Sequence, residues 1–266
     1  MFADLTLARR LERTEASACR AFVDARAEMR PELGASWTEI AGAYAMFDGV
    51  GSPITQTFGL GMFEIATDAD MEAIETFFRS RGADVHHEVS PLADISLLNS
   101  RGYEPFEFTS VMFQPLDEAH STGNDVVARI AGPEDYSTWV DVSTDGWSEA
   151  QEYAHLIRDL SEVSVGRSNS LSFLAEIEGC PVAAGSLCLH DGVALFAGAC
   201  TIPSARRQGA QQALHHARMQ YAKEAGCDLA MMCAAPGSTS QRNAERHGFR
   251  IAYTRIKWRQ VRPPGA

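Results

Sequence analysis

The sequence predicts an α/β (α+β) protein of two domains, and three observations support this fold class. A chain of 266 residues is long enough for two hydrophobic cores. Its 45% apolar and 22% charged residues are typical of a globular protein and exclude a disordered or fibrous class. Segments with helical and strand-like periodicity also alternate in two series, 1–116 and 126–262, with a polar linker at 117–125 between them.

The first series begins with a long amphipathic helix, in which apolar residues recur at three- and four-residue steps over 5–29. Pro31 and Gly34 end it. Turn residues and apolar runs then predict, in order, strands at 40–47 and 54–62, a helix at 68–79 capped by Asp68, a strand at 83–89, a short helix at 91–100 and a strand at 106–113.

The second series has the same kinds of elements in a similar order. Its patterns predict a strand at 126–130, helices from 133 and over 149–165, strands at 171–177, 182–189 and 193–202, a helix at 209–225, a strand at 229–234, a helix at 238–246 and a last strand at 249–258. The segment 193–202 is almost wholly apolar, which is typical of a central strand.

The two series also share a spacing of residues. Gly82-Ala83-Asp84-Val85 precedes Gly102-Tyr103 by 20 residues, and Gly226-Cys227-Asp228-Leu229 precedes Gly248-Phe249 by 22. With one inserted residue, 108–113 and 253–258 both read aromatic, Thr, x, β-branched, x, aromatic. This pattern favours duplication of one unit, and the alternative is chance similarity between two unrelated helix–strand units.

The net charge of −12 argues against general binding to nucleic acid or to an anionic membrane. The charge is unevenly placed, because residues 1–120 hold 9 basic and 20 acidic residues. Residues 200–262 hold 11 basic and 3 acidic residues. The basic C-terminal quarter therefore favours a small anionic ligand.

Several sequence features indicate a reduced, cytoplasmic protein. The N-terminus has no apolar signal region, and no run of 18 apolar residues predicts a transmembrane helix. The six cysteines form no C-x-x-C pair, and the adjacent histidine pairs point in different directions, so no metal site is expected. The excess of arginine over lysine favours a bacterial source with a GC-rich genome.

The most informative stretch is the loop that follows the apolar strand. Pro203 ends strand pairing, and Arg206 and Arg207 add positive charge with forked donors. Gly209 stands at the predicted helix start, where the backbone N–H groups and the helix dipole favour an anion. The alternative is an ordinary helix start with surface arginines. No G-K-[ST] or G-x-G-x-x-G pattern is present, so Walker and Rossmann loops are excluded.

This loop resembles the acetyl-CoA loop Q/R-x-x-G-x-G/A of the GNAT family of N-acetyltransferases. Arg206 and Gly209 fit the pattern, whereas Gln211 stands where the family usually has Gly or Ala. The resemblance covers about 126–260, including the turn His247-Gly248-Phe249, and 36–114 as a decayed copy. It implies two tandem acyl-CoA N-acyltransferase folds, each a mixed central sheet flanked by helices. The implied CoA-binding residues are Cys200, Thr201, Ile202, Arg206, Arg207, Gln208, Gly209, Ala210, Gln211, Gln212 and Asn243.

The corresponding place in the first series is acidic. Its Gly-rich strand end is followed by four acidic residues, Glu64, Asp68, Asp70 and Glu72. The segment 63–78 contains no arginine. A pyrophosphate would be repelled there, so the N-terminal copy is predicted not to bind CoA.

The resemblance implies direct attack of an amine on the acetyl thioester, with backbone groups of 199–202 holding the pantetheine arm and polarising the carbonyl. Many family members have a Glu on the central strand and a Tyr four residues before the G-F turn. Here 193–199 contains no Glu, and the Tyr position is Ala244. Tyr253 and His247 are the candidates for proton transfer, and each also fits a structural role, so the catalytic acid and base stay unassigned.

The resemblance to the GNAT family implies that helices within 133–165 contribute to the acceptor pocket. Its candidate lining residues are Trp139, Trp147, Glu149, Glu152, Tyr153 and His155. The sequence thus predicts an acetyl-CoA-dependent N-acetyltransferase acting on a primary amine of a small molecule or peptide. A cationic acceptor would be attracted by the acidic first half. The alternatives are a non-catalytic acyl-CoA-binding sensor or scaffold, and an interaction module that binds no CoA.

Overall fold

A computed structural model describes residues 3–116, 126–147 and 154–261. The predicted linker 117–125 lies outside the described residues. The chain divides into two compact units. The first comprises Met1–Phe113 together with Cys233–Ala266, and the second comprises Gln114–Met232.

Helices and strands alternate along the chain, as the periodicity predicts. Up to the linker they are α1 (Leu5–Met29), β1 (Ser36–Ile40), β2 (Ala43–Phe47), β3 (Gln56–Phe58), α2 (Asp68–Arg79), β4 (His86–Val89), α3 (Ser96–Ser100) and β5 (Tyr103–Pro115). After it come β6 (Val127–Ile130), α4 (Tyr136–Gly146), α5 (Ala154–Ser164), β7 (Ser170–Ile177), β8 (Cys180–His190), β9 (Val193–Thr201), α6 (Ala210–Glu224), β10 (Leu229–Ala234), α7 (Thr239–Arg246) and β11 (Arg250–Gln260).

Two details of the first series differ from the prediction. The segment 40–47 is not one strand, because the chain reverses at Ala41 and Gly42, whose φ angles are 48° and 71°. This left-handed pair makes β1 and β2 an antiparallel hairpin. The cap of α2 is Thr67 rather than Asp68, since the Thr67 side chain accepts from the backbone N–H of Asp70.

Both units contain mixed sheet. In the first unit the strand order is β1-β2-β3-β4-β11-β5, and only β3 and β4 run parallel. In the second unit the order is β10-β9-β8-β7-β6, and only β9 and β10 run parallel. Each parallel pair is linked through one helix, α2 or α6, after a run of antiparallel strands. The repeated arrangement agrees with two copies of one fold.

The compact units and the predicted sequence domains differ at the C-terminal end. The sequence boundaries place 233–262 with the second domain, whereas α7 and β11 pack within the first unit. The reason is strand pairing, because β11 forms antiparallel ladders with both β4 and β5. The assignment of 1–116 and 126–262 as two ancestral copies stays a prediction about descent.

Each unit has its own apolar core. In the first, α2 packs Met71, Ile74 and Phe78 against the sheet. In the second, α4 packs Trp139 and Val140 against β7, β8 and β9. Across the described ranges, no helix has the length and apolarity needed to cross a membrane.

Candidate cofactor site

The loop between β9 and α6 has an unusual backbone conformation. A short 3₁₀ turn at Pro203–Ala205 follows the strand. Arg207 then has φ 64° and Gly209 has φ 90°, so two left-handed residues flank Gln208. Glycine tolerates this conformation at little cost, which explains its use at the helix start. The turn brings the side chains of Arg207 and Gln208 to the surface.

The N-terminus of α6 is suited to an anion. Gly209 is its N-cap, no side chain caps the helix, and its first turn has no acidic residue. The start of α2 in the first unit is the opposite case. There Thr67 and Asp70 satisfy each other's backbone N–H groups at 2.9 and 3.2 Å, and Asp68 adds a second carboxylate. A phosphate is therefore favoured at α6 and repelled at α2.

Side chains of the loop tie its two ends together. Gln211 Nε2 donates to Thr201 Oγ1 at 2.9 Å and links α6 to the end of β9. Arg206 donates from Nε to the carbonyl of Thr201 at 3.4 Å and from Nη2 to the carbonyl of Gly146 at 3.3 Å. Gln211, the departure from the family pattern, thus has a defined role in holding the loop. Arg206 connects the loop to the C-terminal end of α4.

The strand that precedes the loop has a bulge, and β10 pairs only with its first residues. β9 pairs with β10 through Val193, Ala194 and Leu195 only. On its other side, Gly198 and Ala199 together oppose one residue of β8, between Ala184 and Ser186, so β9 has a bulge. Gly198 has φ 59°. The segment 196–201 therefore presents backbone groups along an edge that β10 does not pair.

Sequence reasoning missed this bulge, although a signal was present. A glycine inside an apolar strand commonly marks a bulge or the close approach of another backbone. Gly198 is such a glycine, in the middle of the predicted strand 193–202.

Cys200, within this segment, has a buried and unreactive thiol. Its thiol points to the carbonyls of Val142 and Ser143 at 3.6 and 3.8 Å. Burial raises the pKa of Cys200 to about 11, so the thiol is protonated at neutral pH. Its contribution to a cofactor site is its backbone and its packing against α4, since a protonated buried thiol is a poor nucleophile.

The predicted cofactor residues fall into two places. The second unit brings together Cys200, Thr201, Ile202, Arg206, Arg207, Gln208, Gly209, Ala210, Gln211 and Gln212 around the β9–α6 turn. Asn243 lies on α7 in the first unit, where its Oδ1 accepts from Arg246 at 3.0 Å.

The two proton-transfer candidates also lie in the first unit. The Tyr253 hydroxyl is buried and donates to Glu12 Oε1 at 2.7 Å. Burial raises its pKa well above the ordinary value. His247 is the C-cap of α7, half-buried. Their catalytic roles stay predictions, and the structure gives each a local structural environment.

The candidate acceptor residues differ in exposure. Trp139 is buried in the core and donates from Nε1 to the carbonyl of Phe173 at 3.2 Å. Trp147 is 49% exposed at the end of α4, and His155 is exposed at the start of α5. Glu149, Glu152 and Tyr153 lie outside the described residues. Within the described part of the chain, no group of three metal-ligating side chains is arranged to hold a metal ion.

Comparison with known proteins identifies the fold. Residues 134–249 match the family described as the acetyltransferase (GNAT) family. The match covers less than half of the chain, and the chain shares the tandem GNAT fold with solved structures.

One similar structure is a GCN5-related N-acetyltransferase from Kribbella flavida, with 18% identity, a TM-score of 0.65, and coverage of 91% of this chain and 96% of that one. Another is a GCN5-related N-acetyltransferase from Sphaerobacter thermophilus, with 17% identity, a TM-score of 0.56, and coverage of 73% and 68%. A tandem GNAT protein from the clavulanic acid biosynthesis pathway has 14% identity, a TM-score of 0.58, and coverage of 84% and 79%. No curated protein sequence matches the chain.

Proposed function

We propose that the protein is an acetyl-CoA-dependent N-acetyltransferase that acts on a primary amine of a small molecule or peptide. The observation that carries the proposal is the pairing of an uncapped helix start at Gly209 with an opened strand edge at 196–201. Both features lie in the second unit, and both fall within the GNAT-family match.

The described residues would meet two of the requirements of acyl transfer, cofactor binding and polarisation of the thioester. The start of α6, with Arg207 beside it, would hold the pyrophosphate through backbone N–H groups and positive charge. The edge of β9 beyond its pairing with β10 would hold the pantetheine arm, and a backbone N–H near the bulge would polarise the thioester carbonyl. Bound acetyl-CoA supplies the acetyl group as a thioester that an amine attacks directly. These roles account for the cofactor without a metal.

The need for proton transfer is met less well. The strand 193–199 carries no carboxylate, and Ala244 replaces the family's tyrosine. This observation favours a second candidate function, a non-catalytic acyl-CoA-binding sensor or scaffold. An amine that reaches the site already neutral, or a base on the acceptor itself, would allow catalysis without a dedicated residue.

The assignment of the β9–α6 loop as the CoA-binding loop is tested by a substitution that places a negative charge at the start of α6. Gly209→Glu is expected to weaken CoA binding more than tenfold, because a carboxylate and a strained left-handed residue would stand where the phosphate is held. Isothermal titration calorimetry with CoA measures this. Gly226→Glu is the matched control, since Gly226 has φ 81° beyond the other end of α6 and open space around it. Equal affinity of the Gly209 variant and the wild type would contradict the loop assignment.

The acceptor question is tested by thiol release from acetyl-CoA over a panel of amines that includes cationic and peptide members. Turnover on any amine supports the enzyme. Tight CoA binding without turnover on the panel supports the sensor. Absence of CoA binding would instead favour an interaction module, and in that case neither Arg206→Ala nor Gly209→Glu should change the protein's function.

A further inference from the structure

Arg218 is a buried arginine on α6 that faces the bulged part of β9. Only 3% of the surface of Arg218 is exposed. Nε donates to the carbonyl of Leu214 at 3.1 Å, one turn back along α6, and Nη1 donates to the carbonyl of Ser186 at 3.2 Å. The guanidinium carbon lies 4.7 Å from the centre of the Phe196 ring. Arg218 therefore connects α6 to β8 and β9 in the second unit.

This guanidinium has no carboxylate partner among residues 3–116, 126–147 and 154–261. The nearby thiol of Cys200 supplies no counter-charge, since its pKa is raised to about 11 by burial. Burial also lowers the pKa of Arg218 to about 10, which still leaves it charged at neutral pH. A buried cation held only by carbonyls and a ring is energetically costly.

The fold makes room for this charge at one defined point. A methyl group on Gly185 would lie 3.1 Å from Arg218 Nη1, 3.3 Å from its guanidinium carbon and 3.6 Å from Ala199 Cβ. Gly185 is the residue of β8 that faces the Gly198–Ala199 bulge. The guanidinium thus lies beside Gly185 of β8, opposite the point where β9 departs from regular pairing.

We infer that Arg218 is a positioning residue for acyl transfer, which fixes the bulge of β9 and gives its edge a positive potential. This inference rests on the proposed function, because the bulge matters only if a thioester lies along β9. The hydrogen bond to Ser186 holds β8 beside the bulge, and the charge favours the negative oxygen that develops when an amine attacks the carbonyl. Arg218 acts through the backbone of β8 and through its charge, and it is not assigned a contact with substrate.

The test is the infrared carbonyl band of [1-¹³C]acetyl-CoA bound to the full-length protein. The wild type is expected to shift the band to lower frequency than in solution, because its polarised edge weakens the C=O bond. Arg218→Met is expected to return the band most of the way to the solution value, while Arg218→Lys, which keeps the charge, retains part of the shift. On any amine that is turned over, Arg218→Met is expected to lower kcat at least tenfold and to change the KM for acetyl-CoA less than threefold.

Gly185→Ala provides a second variant in case Arg218→Met does not fold. It displaces the guanidinium and keeps the charge, so a smaller change of the band in the same direction is expected. Lys223→Met is the control, because it removes an exposed cation from the same helix. If acetyl-CoA binds and the band is the same in the wild type, Gly185→Ala and every folded Arg218 variant, this inference alone is overturned. If the wild type does not bind acetyl-CoA, the proposed function fails and the inference with it.

Discussion

Arg255 in the first unit is surrounded by more negative charge than it can neutralise. It is fully buried and pairs with Glu12 at 3.0 Å, Glu15 at 2.7 Å and Glu88 at 3.2 Å. Glu12 is fully buried as well, and its Oε2 has no hydrogen-bond partner. Burial raises the pKa of Glu12, although Arg255 and Tyr253 partly offset the rise. Burial also acts on Glu15, but the pull of Arg255 outweighs it and leaves that pKa lowered.

These contacts predict opposite effects for two substitutions. Arg255→Met is expected to destabilise the protein by about 3–5 kcal/mol, since it leaves buried carboxylates without a cation. Glu12→Gln is expected to stabilise it at neutral pH, because the folded state disfavours the ionised form of Glu12. Because the folded-state pKa of Glu12 is raised, the wild type loses stability as the pH rises from the unfolded to the folded pKa of this group. The Gln variant has no carboxyl group and does not lose it. The difference in stability between the variant and the wild type should therefore shrink toward pH 4. Urea unfolding at pH 4 to 8 measures both, and a gain that does not depend on pH would contradict the assignment.

His87 predicts a second pH effect, with the opposite sign. Both ring nitrogens are buried without partners, and burial lowers the pKa of His87 to about 3. A lowered histidine pKa stabilises the fold above the unfolded value of about 6.5, and this stability is lost as pH falls toward 3. His87→Phe keeps a ring beside Tyr103 and should reduce the acid-induced loss between pH 7 and pH 4 by up to about 3 kcal/mol. Thermal unfolding from pH 7 to 4 measures the slope. Exposed His155→Gln should leave the slope unchanged, and a His87→Phe slope equal to that of the wild type would contradict the prediction.

Among single residues, the sequence motif predicts the candidate loop residues but gives no sign of the buried charges. Arg206 and Gly209 were predicted because a short motif at a strand–helix junction has a physical meaning. Arg218, Arg255 and His87 were not, because charged and polar residues are normally placed on exposed faces and only tertiary packing buries them.

Among the elements, helices α1 and α2 were predicted with correct bounds, since strong breakers or caps mark their ends. The β1–β2 hairpin was missed because its left-handed turn pairs Gly42 with Ala41, and alanine is an unusual residue for such a turn, so one glycine alone did not predict it. The α4–β9 contact was missed for another reason. Gly146 reads as a weak helix residue, but its lack of a side chain is what lets α4 approach β9 closely.

That close approach gives a prediction about the site. A methyl group on Gly146 would lie 2.5 Å from Cys200 Sγ and 2.7 Å from Cys200 Cβ. Gly146→Ala is therefore expected to destabilise the second unit by about 1–3 kcal/mol through overpacking, despite alanine's better helix propensity. It should also weaken CoA binding, because Cys200 must move with the strand end. Calorimetry and thermal unfolding test this, and the double variant Gly146→Ala/Cys200→Gly should recover part of both losses. A single variant as stable as the wild type would show that α4 is free to shift.

For the whole molecule, the charge asymmetry has more than one cause. The basic segment 200–262 supplies Arg206 and Arg207 to the loop, but it also supplies Arg255 and Lys257 to carboxylates of the first unit. The acidity of the first 120 residues is thus neutralised in part by the last strand. The sequence does not show that the last strand neutralises carboxylates of the first 120 residues. Strand pairing between distant segments is decided by packing and leaves no local pattern.

The pairing of the last strand with distant segments predicts that the first sequence domain will not fold alone. A fragment of residues 1–116 lacks β11, so β4 and β5 lose the strand that pairs with both, and Glu12, Glu15 and Glu88 lose Arg255. Glu12 and Glu88 are buried and Glu15 is half-buried. The loss of their cation together with the lost strand ladders is expected to cost more than the stability of a typical domain. The fragment should show no cooperative thermal transition by circular dichroism. Adding a peptide of residues 233–261 in trans should restore one, and the same peptide with Arg255→Met should not. A cooperative transition of the fragment by itself would mean that 1–116 is a self-sufficient domain, as the sequence boundaries suggest, and that the ladder to β11 is dispensable.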